Sequence, residues 1–293
     1  MTTTYATNSA ANSAVRYLQR NSDMQSSSIS KLSSGSRIVK ASDDAASLAV
    51  GTKLKADVTA LKQASINASQ GASLLQVADG ALARISDTLV RMKSLATQAN
   101  SDVLSNTERG FLNQEFGEMQ TQIDFIVSST KFNDVAVLSG QLDSTNTAIT
   151  DSADAVFQVG VTAGDGAGGV ATADEVTVKI ADASLSGLAS ATTTDSIDTK
   201  ADAATASGHL DAALEDVNTR RATLGAQMSR FEKIGENIAT SMENLDAARS
   251  VLMDVDVAAE MTTFSTNQVQ TQAATAMLAQ ANQLPQNLMK LLQ

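Results

Sequence analysis

The chain has 293 residues, no cysteine, one histidine, one proline and a formal net charge of −11. Without cysteine there can be no disulfide and no thiolate metal site, and with His209 alone a His-based metal centre or catalytic triad is disfavoured. Aromatic residues make up only 3%, few for a globular core that leans on large rings, whereas the abundant Ala, Leu, Val, Met and Gln suit long packed helices.

The opening stretch, MTTTYATNSAANSAVRYLQR, carries no apolar run, so no cleaved secretory signal is expected there. No later run is long and apolar enough to span a membrane. Taken alone, this points to the cytoplasm. A helical pattern leads into KLSSGSRIVKASDDAASLAV (31–50) and breaks there. Gly35 can take the left-handed conformation that stops a helix. Ser42 is the expected cap of the next one, with Asp43 and Asp44 well placed in its first turn. Apolar positions then fall at Leu75, Ala78, Leu82, Ile85, Leu89, Met92, Ala96 and Ala99. Their steps alternate three and four, the seam of a coiled-coil-like helix. A third amphipathic helix is expected over 104–129, with Phe111, Leu112, Met119, Ile123 and Ile126 on its apolar side and Thr107 with Glu108 at its start.

The centre changes period. FNDVAVLSG (132–140), AVFQVGV (155–161) and EVTVKIA (175–181) alternate apolar and polar residues, which predicts short strands. GDGAGG (164–169) reads as a flexible loop, and ATTTDSIDTKADAATASG (191–208) as an exposed polar linker. A return helix follows, with Leu210, Leu214, Val217, Leu224, Met228, Phe231, Ile238, Met242, Leu245 and Leu252 on its seam. Arg221, Gly235 and Arg249 are the weak points of that register. Such a helix is on the order of 60 Å long and needs partners along its side. Each large seam residue is worth roughly 1.5–3 kcal/mol once buried, and the simplest solution brings the two seams together. VLMDVDVAAEM (251–261) is the matching interruption near the other end, and Pro285 is expected to mark the last helical break.

The expected fold is mainly α with a small β element. It is a long antiparallel helical hairpin or bundle formed by the N- and C-terminal segments, with short β-hairpins at its tip. The expected divisions are an N-terminal helical segment with a spoke (1–44), the two halves of a helical core (45–139 and 206–255), a short outward-facing β/loop region (140–205) and a C-terminal helical segment (256–293). Residues 140–215 hold twelve acids against two bases, so nearly all the net charge sits in the middle. An outward acidic segment favours solubility and disfavours nucleic acid as a partner. The tail NQVQTQAATAMLAQANQLPQNLMKLLQ is too apolar to stay free in water and too polar for a dry core. It looks built to pack against other chains.

These residues carry a resemblance. SSSISKLSSGSRIVKASDDAASLAV (26–50), TKFNDVAVLSG (130–140), FQVGVTAG (157–164) and AQANQLPQNLMKLLQ (279–293) resemble, in order, segments of bacterial flagellin. The likeness spans roughly the first 140 and the last 90 residues, and it implies a short flagellin with a reduced centre. It further implies a helical homopolymer, the flagellar filament, whose terminal helices line an inner tube. Export would run unfolded through a flagellar type III channel, without a cleaved signal, so the protein would end extracellular. An export chaperone at the C-terminal segment, and hook-associated junction and cap proteins, are the implied partners.

No catalytic, cofactor or metal constellation stands out. DDAASL and DVDVAAE pair carboxylates at helix starts, and GDGAGG lacks the lysine of a phosphate loop. His209 reads as a partly exposed polar residue. Candidate assembly positions are Leu18, Ile29, Leu32, Leu284, Leu288 and Leu291. LVRMKSLATQANS (89–101) resembles a stretch that a Toll-like innate immune receptor reads on some flagellins, through Arg91, Leu95 and Glu115; Val90 and Met119 depart from that pattern. Contact between neighbouring subunits is the competing reading of the same residues. A hook–filament junction protein and a non-flagellar coiled-coil scaffold remain alternatives on sequence grounds, and an enzyme comes last for want of candidate groups.

Overall fold

The computed structural model describes residues 8–140, 155–161, 174–188 and 195–291, with side chains at the C-terminal end described up to Gln283. The loop GDGAGG lies outside the described residues. In chain order the elements are α1 (Ser9–Ser34), α2 (Ala45–Ala99), α3 (Asn106–Ser129), β1 (Lys131–Phe132), β2 (Val135–Ala136), β3 (Ala155–Gln158), β4 (Glu175–Val178), α4 (Lys200–Met253) and α5 (Val257–Leu291). The chain divides into two compact units, one of them built from both ends of the sequence. One comprises residues 1–56 with 244–293, the other residues 57–243.

The α2 seam buries throughout, whereas the expected α4 seam buries only in part, with Met242, Leu245 and Leu252 half-buried. Leu75, Ala78, Leu82, Ile85, Leu89, Met92, Ala96 and Ala99 of α2 are all buried. On α4 the buried large residues are Leu210, Val217, Leu224, Phe231 and Ile238, one every seventh position; the intervening Leu214 and Met228 are half-buried. The helices run antiparallel, which Phe231 against Gly71, Arg221 against Asp79 and Lys93 against Asp211 establish. A Cβ at Gly71 would sit 2.7 Å from the Phe231 ring, so that glycine lets the ring into the seam. The weak point at Arg221 is met by Asp79, whose carboxylate accepts from Nε at 2.8 Å.

Helix α3 folds back along this pair, in a register that differs from expectation. Its buried residues are Arg109, Phe116, Ile123 and Val127, while Phe111 is 70% exposed. Of the five apolar positions expected to face inward, only Ile123 is fully buried; Leu112, Met119 and Ile126 are half-buried. The expected stripe rests on apolar character alone, whereas Arg109 holds the inward position one turn earlier. The cap is Ser105, not Thr107, with Glu108 completing a capping box. On α2 the cap is Asp44, not Ser42: its Oδ1 accepts from Ser47 N at 3.0 Å.

The short strands form two antiparallel hairpins. Residues 132–140 are not one strand. Asn133 and Asp134 both take positive φ, 50° and 65°, and turn β1 back onto β2 as a two-residue hairpin does. β3 pairs with β4 in register Ala155↔Val178 to Gln158↔Glu175, burying Val176 and Val178. This hairpin lies against the helices of the larger unit. Phe157 meets Phe231 edge-on at 5.6 Å, and Asn67 Nδ2 donates to Gln158 O at 3.0 Å. Two further expectations change. The linker expected through Gly208 is helical from Lys200, because Ala203 and Ala206 bury against the core. α5 continues through Pro285 to Leu291, so the proline does not end it.

Candidate assembly surface

The smaller unit is built at the chain's two interruptions. Helix α1 ends on Gly35, in the left-handed region at φ 68°. There the backbone pairs with the far end of the chain: Ser36 bridges Asp254, Arg37 N donates to Met253 O at 2.7 Å, and Val255 N donates to Gly35 O at 3.0 Å. The last turn of α4 needs partners for its carbonyls. The Ser36 hydroxyl donates to Met253 O at 3.0 Å, and the Arg37 guanidinium donates to Leu252 O, a cation on the negative end of a helix. Asp256 then caps α5, its Oδ1 accepting from Ala258 N and Ala259 N at 2.9 and 3.1 Å. Asp43 closes the loop before α2. Backbone N–H groups of Lys40 and Val39 donate to its carboxylate and hold it below the usual carboxylate range. Ser47 does the same to Asp44.

From this junction α1 and α5 pair antiparallel. Asn8 closes the far end, its Oδ1 accepting from Ala11 N and its Nδ2 donating to Ala281 O at 2.8 Å. The fully buried residues of the pair, Ser28, Asn267 and Ala281, are small or polar, with Leu18, Met24, Leu32, Phe264 and Leu278 half-buried beside them. Near the far end Ala10, Ser13, Ala14 and Tyr17 line a groove with Ala274, Met277, Gln280 and Ala281. Other large apolar side chains point to solvent: Val15, Tyr17 and Ile29 on α1, and Val257, Met261, Val269 and Met277 on α5, with Tyr17 63% and Met277 64% exposed. Burial normally works the other way. A helix pair that leaves Tyr17, Val269 and Met277 exposed awaits further surface.

The sequence-predicted positions distribute as follows. Ile29 is exposed at 49%, while Leu18 and Leu32 are half-buried at the edge of the α1–α5 contact. Leu284, Leu288 and Leu291 lie on the last turns of α5, where side chains are outside the described residues. Arg91 and Glu115 meet across α2 and α3, Nε donating to Oε1 at 3.0 Å, and both are partly exposed. Leu95 is only 1% exposed, so its side chain serves the core and is not available to touch a receptor in this chain. His209 bonds Asp195 at 2.9 Å and is 32% exposed. Among the described residues no group of His, Asp or Glu could hold a metal ion, and no helix is long and apolar enough to cross a membrane.

Three functional positions escaped sequence reasoning. Asn8 and Arg37 bind across more than 200 residues, which no local pattern signals. Arg109 is buried, with Nε donating to Ala99 O at 2.7 Å and Nη2 to Ser101 O at 2.8 Å. Its only sequence trace is a basic residue on the inward face of an amphipathic helix.

Comparison with known proteins matches both ends of the chain. Residues 6–143 fit the model of the bacterial flagellin N-terminal helical region, and residues 208–292 that of the C-terminal helical region. A Bacillus subtilis flagellin is 36% identical over 97% of this chain and 98% of its own. A flagellar filament 30.7 kDa core protein of Treponema maltophilum is 33% identical over 95% of this chain and 96% of its own. The solved structure of a putative flagellar hook-associated protein from Vibrio parahaemolyticus aligns at a TM-score of 0.53 over 72% of this chain and 99% of that one, at 13% identity, a likeness of fold alone. With both helical ends matched and near-full-length relatives above 30% identity, the chain belongs to the bacterial flagellin family.

Proposed function

We infer that this flagellin is a structural subunit of the bacterial flagellar filament, polymerising through its paired terminal helices into a helical homopolymer that serves motility outside the cell. It is a structural protein and not an enzyme. The observation that carries the reading is the set of large apolar residues, Tyr17, Val269 and Met277 among them, that the α1–α5 pair leaves exposed. At roughly 25 cal/mol per Å², covering Tyr17, Val269 and Met277 is favourable only when neighbouring copies supply the cover. A heterologous contact repeated from copy to copy gives an open helix wherever its rotation does not close into a ring.

Finer parts follow from the same surface. The C-terminal segment 256–293 is the part an export chaperone would mask, because its apolar side chains would otherwise meet water before assembly. The protein would leave through the flagellar export channel. Hook-associated junction and cap proteins would meet the terminal helices at the two ends of the filament. A Toll-like innate receptor would read the exposed Arg91–Glu115 pair, with Leu95 supporting it from within. The inner-tube role of α1 and α5 and the outward place of 140–205 belong to the same proposal.

Seeded growth tests the main reading. Purified chain added to sonicated filament fragments should elongate into long tubes under the electron microscope, with a defined critical concentration. Closed dimers, or monodisperse monomers at any concentration, would instead mark a coiled-coil scaffold.

A further inference from the structure

The larger unit carries an apolar surface that its own packing does not use. On α3 the buried positions Arg109, Phe116 and Ile123 define the inward side. The opposite side presents Phe111, Glu118 and Phe125 at intervals of seven, with Phe111 70% and Phe125 62% exposed. The chain has only seven phenylalanines, and two stand in water about 21 Å apart on one helix face. Aromatic side chains dominate interface energetics and are enriched at contact surfaces. Of the acids on α3, Glu108 is held in the capping box, Glu115 pairs with Arg91, and Asp124 accepts from Leu185 N. Glu118, between the two rings, is exposed and joins no ion pair among the described residues.

A complementary row lies on α2, facing away from its seam. Val77, Arg84 and Arg91 repeat at the same interval of seven. Val77 is 40% exposed, Arg84 is exposed and joins no ion pair among the described residues, and the Arg91 side chain keeps 56% of its surface while holding Glu115. Both rows drift around their helices at the same rate, since each steps by seven on a 3.6-residue turn. An aromatic–acid–aromatic row thus matches an apolar–base–base row in spacing and in charge.

We propose that the Phe111–Glu118–Phe125 face of α3 docks on the Val77–Arg84–Arg91 face of α2 in a second copy of this chain, as a lateral contact of the filament. Glu118 pairs with Arg84. One ring covers Val77, and the other lies against the Arg91 guanidinium, which attracts an aromatic face while still bonding Glu115. The contact is heterologous, so each copy offers both faces, as an open helical polymer requires. The occupant is a second copy because this surface rests on the filament reading and the two faces of one chain complement each other.

The absence of cysteine makes the test direct. Chains carrying Glu118→Cys and chains carrying Arg84→Cys are mixed, grown on seeds and treated with a short bis-maleimide cross-linker. The linker bridges the Cα separation that a Glu–Arg ion pair imposes, which is beyond the reach of a disulfide. Cross-linked dimers are expected from the mixed filaments only, and not from either variant alone or from unassembled monomer. Independently, Phe111→Ser with Phe125→Ser should leave monomer helicity and melting temperature unchanged, since both rings are exposed, while raising the critical concentration for seeded growth at least tenfold. Mixed filaments without dimers, equal dimer yield from Glu118→Cys alone, or a double serine variant growing within twofold of wild type would each overturn the contact while leaving the filament reading intact. Wild-type chain that never elongates from seeds would remove both.

Discussion

A single side chain, Arg109, closes the turn between α2 and α3. Helix α2 ends at Ala99 with carbonyls that no residue downstream can satisfy from within the helix. The Arg109 guanidinium reaches back and donates to Ala99 O, Ser101 O and Asn106 Oδ1 at 2.7, 2.8 and 2.9 Å. Burial of the charge is tolerable because three acceptors surround it and because a cation at a helix C-terminus is favourably placed. Arg109→Met should remove about 3 kcal/mol of stability, from two carbonyls left bare in a buried site. Arg109→Lys should recover little, since one ammonium cannot copy a planar fork that donates in three directions. Denaturant unfolding of the monomer reads both. A loss under about 0.5 kcal/mol, the range of an ordinary surface substitution, would mean that water satisfies the turn instead.

At the scale of an element, the start of α3 has a pH dependence that its cap dictates. The Ser105 backbone N–H and hydroxyl hold the Glu108 carboxyl below its ordinary value of 4.5, and the Lys200 ammonium beside Asp102 lowers that group from 3.8. A folded-state value below the unfolded one stabilises the fold above the unfolded value and is lost as pH falls through the folded one. Melting temperature should therefore hold on the neutral side and decline below about pH 4.5, with the start of α3 fraying early. Glu108→Gln keeps a capping-box partner without the titration, so its decline should be shallower in circular dichroism melts. A melting temperature that stays flat from about pH 4.5 to about pH 3 would refute this. The same helix shows where sequence reasoning reaches and where it stops. The seams of α2 and α4 were legible because burial there depends on apolar spacing alone. The register of α3 was not, because Arg109 takes an inward position and Phe111 an outward one, each for a tertiary reason. Gly35 was readable from local backbone freedom. The partners of Ser36 and Arg37, more than 200 residues away, were not.

At the scale of the whole molecule, the two units differ in what they leave unfinished. The larger unit buries a continuous core of Leu, Ile, Val and Phe, enough to hold its helices without neighbours. The smaller unit buries mostly small and polar residues between α1 and α5 and leaves Tyr17, Val269 and Met277 in water. Ordering a segment costs roughly 1–2 kcal/mol per residue in backbone entropy, and a segment short of internal burial recovers that cost only on binding. Removing residues 1–32 strips α1 from α5, and removing 262–293 strips most of α5 from α1. Either deletion should abolish seeded growth. Neither touches the seam between Leu75–Ala99 and Leu210–Ile238, so the truncated chains should keep the helicity and the cooperative melt of the larger unit. Elongation assays and circular dichroism on the same preparations separate these effects. Normal filaments from either truncated chain would show that the terminal pair is dispensable, and loss of the melt along with growth would show that the larger unit depends on it.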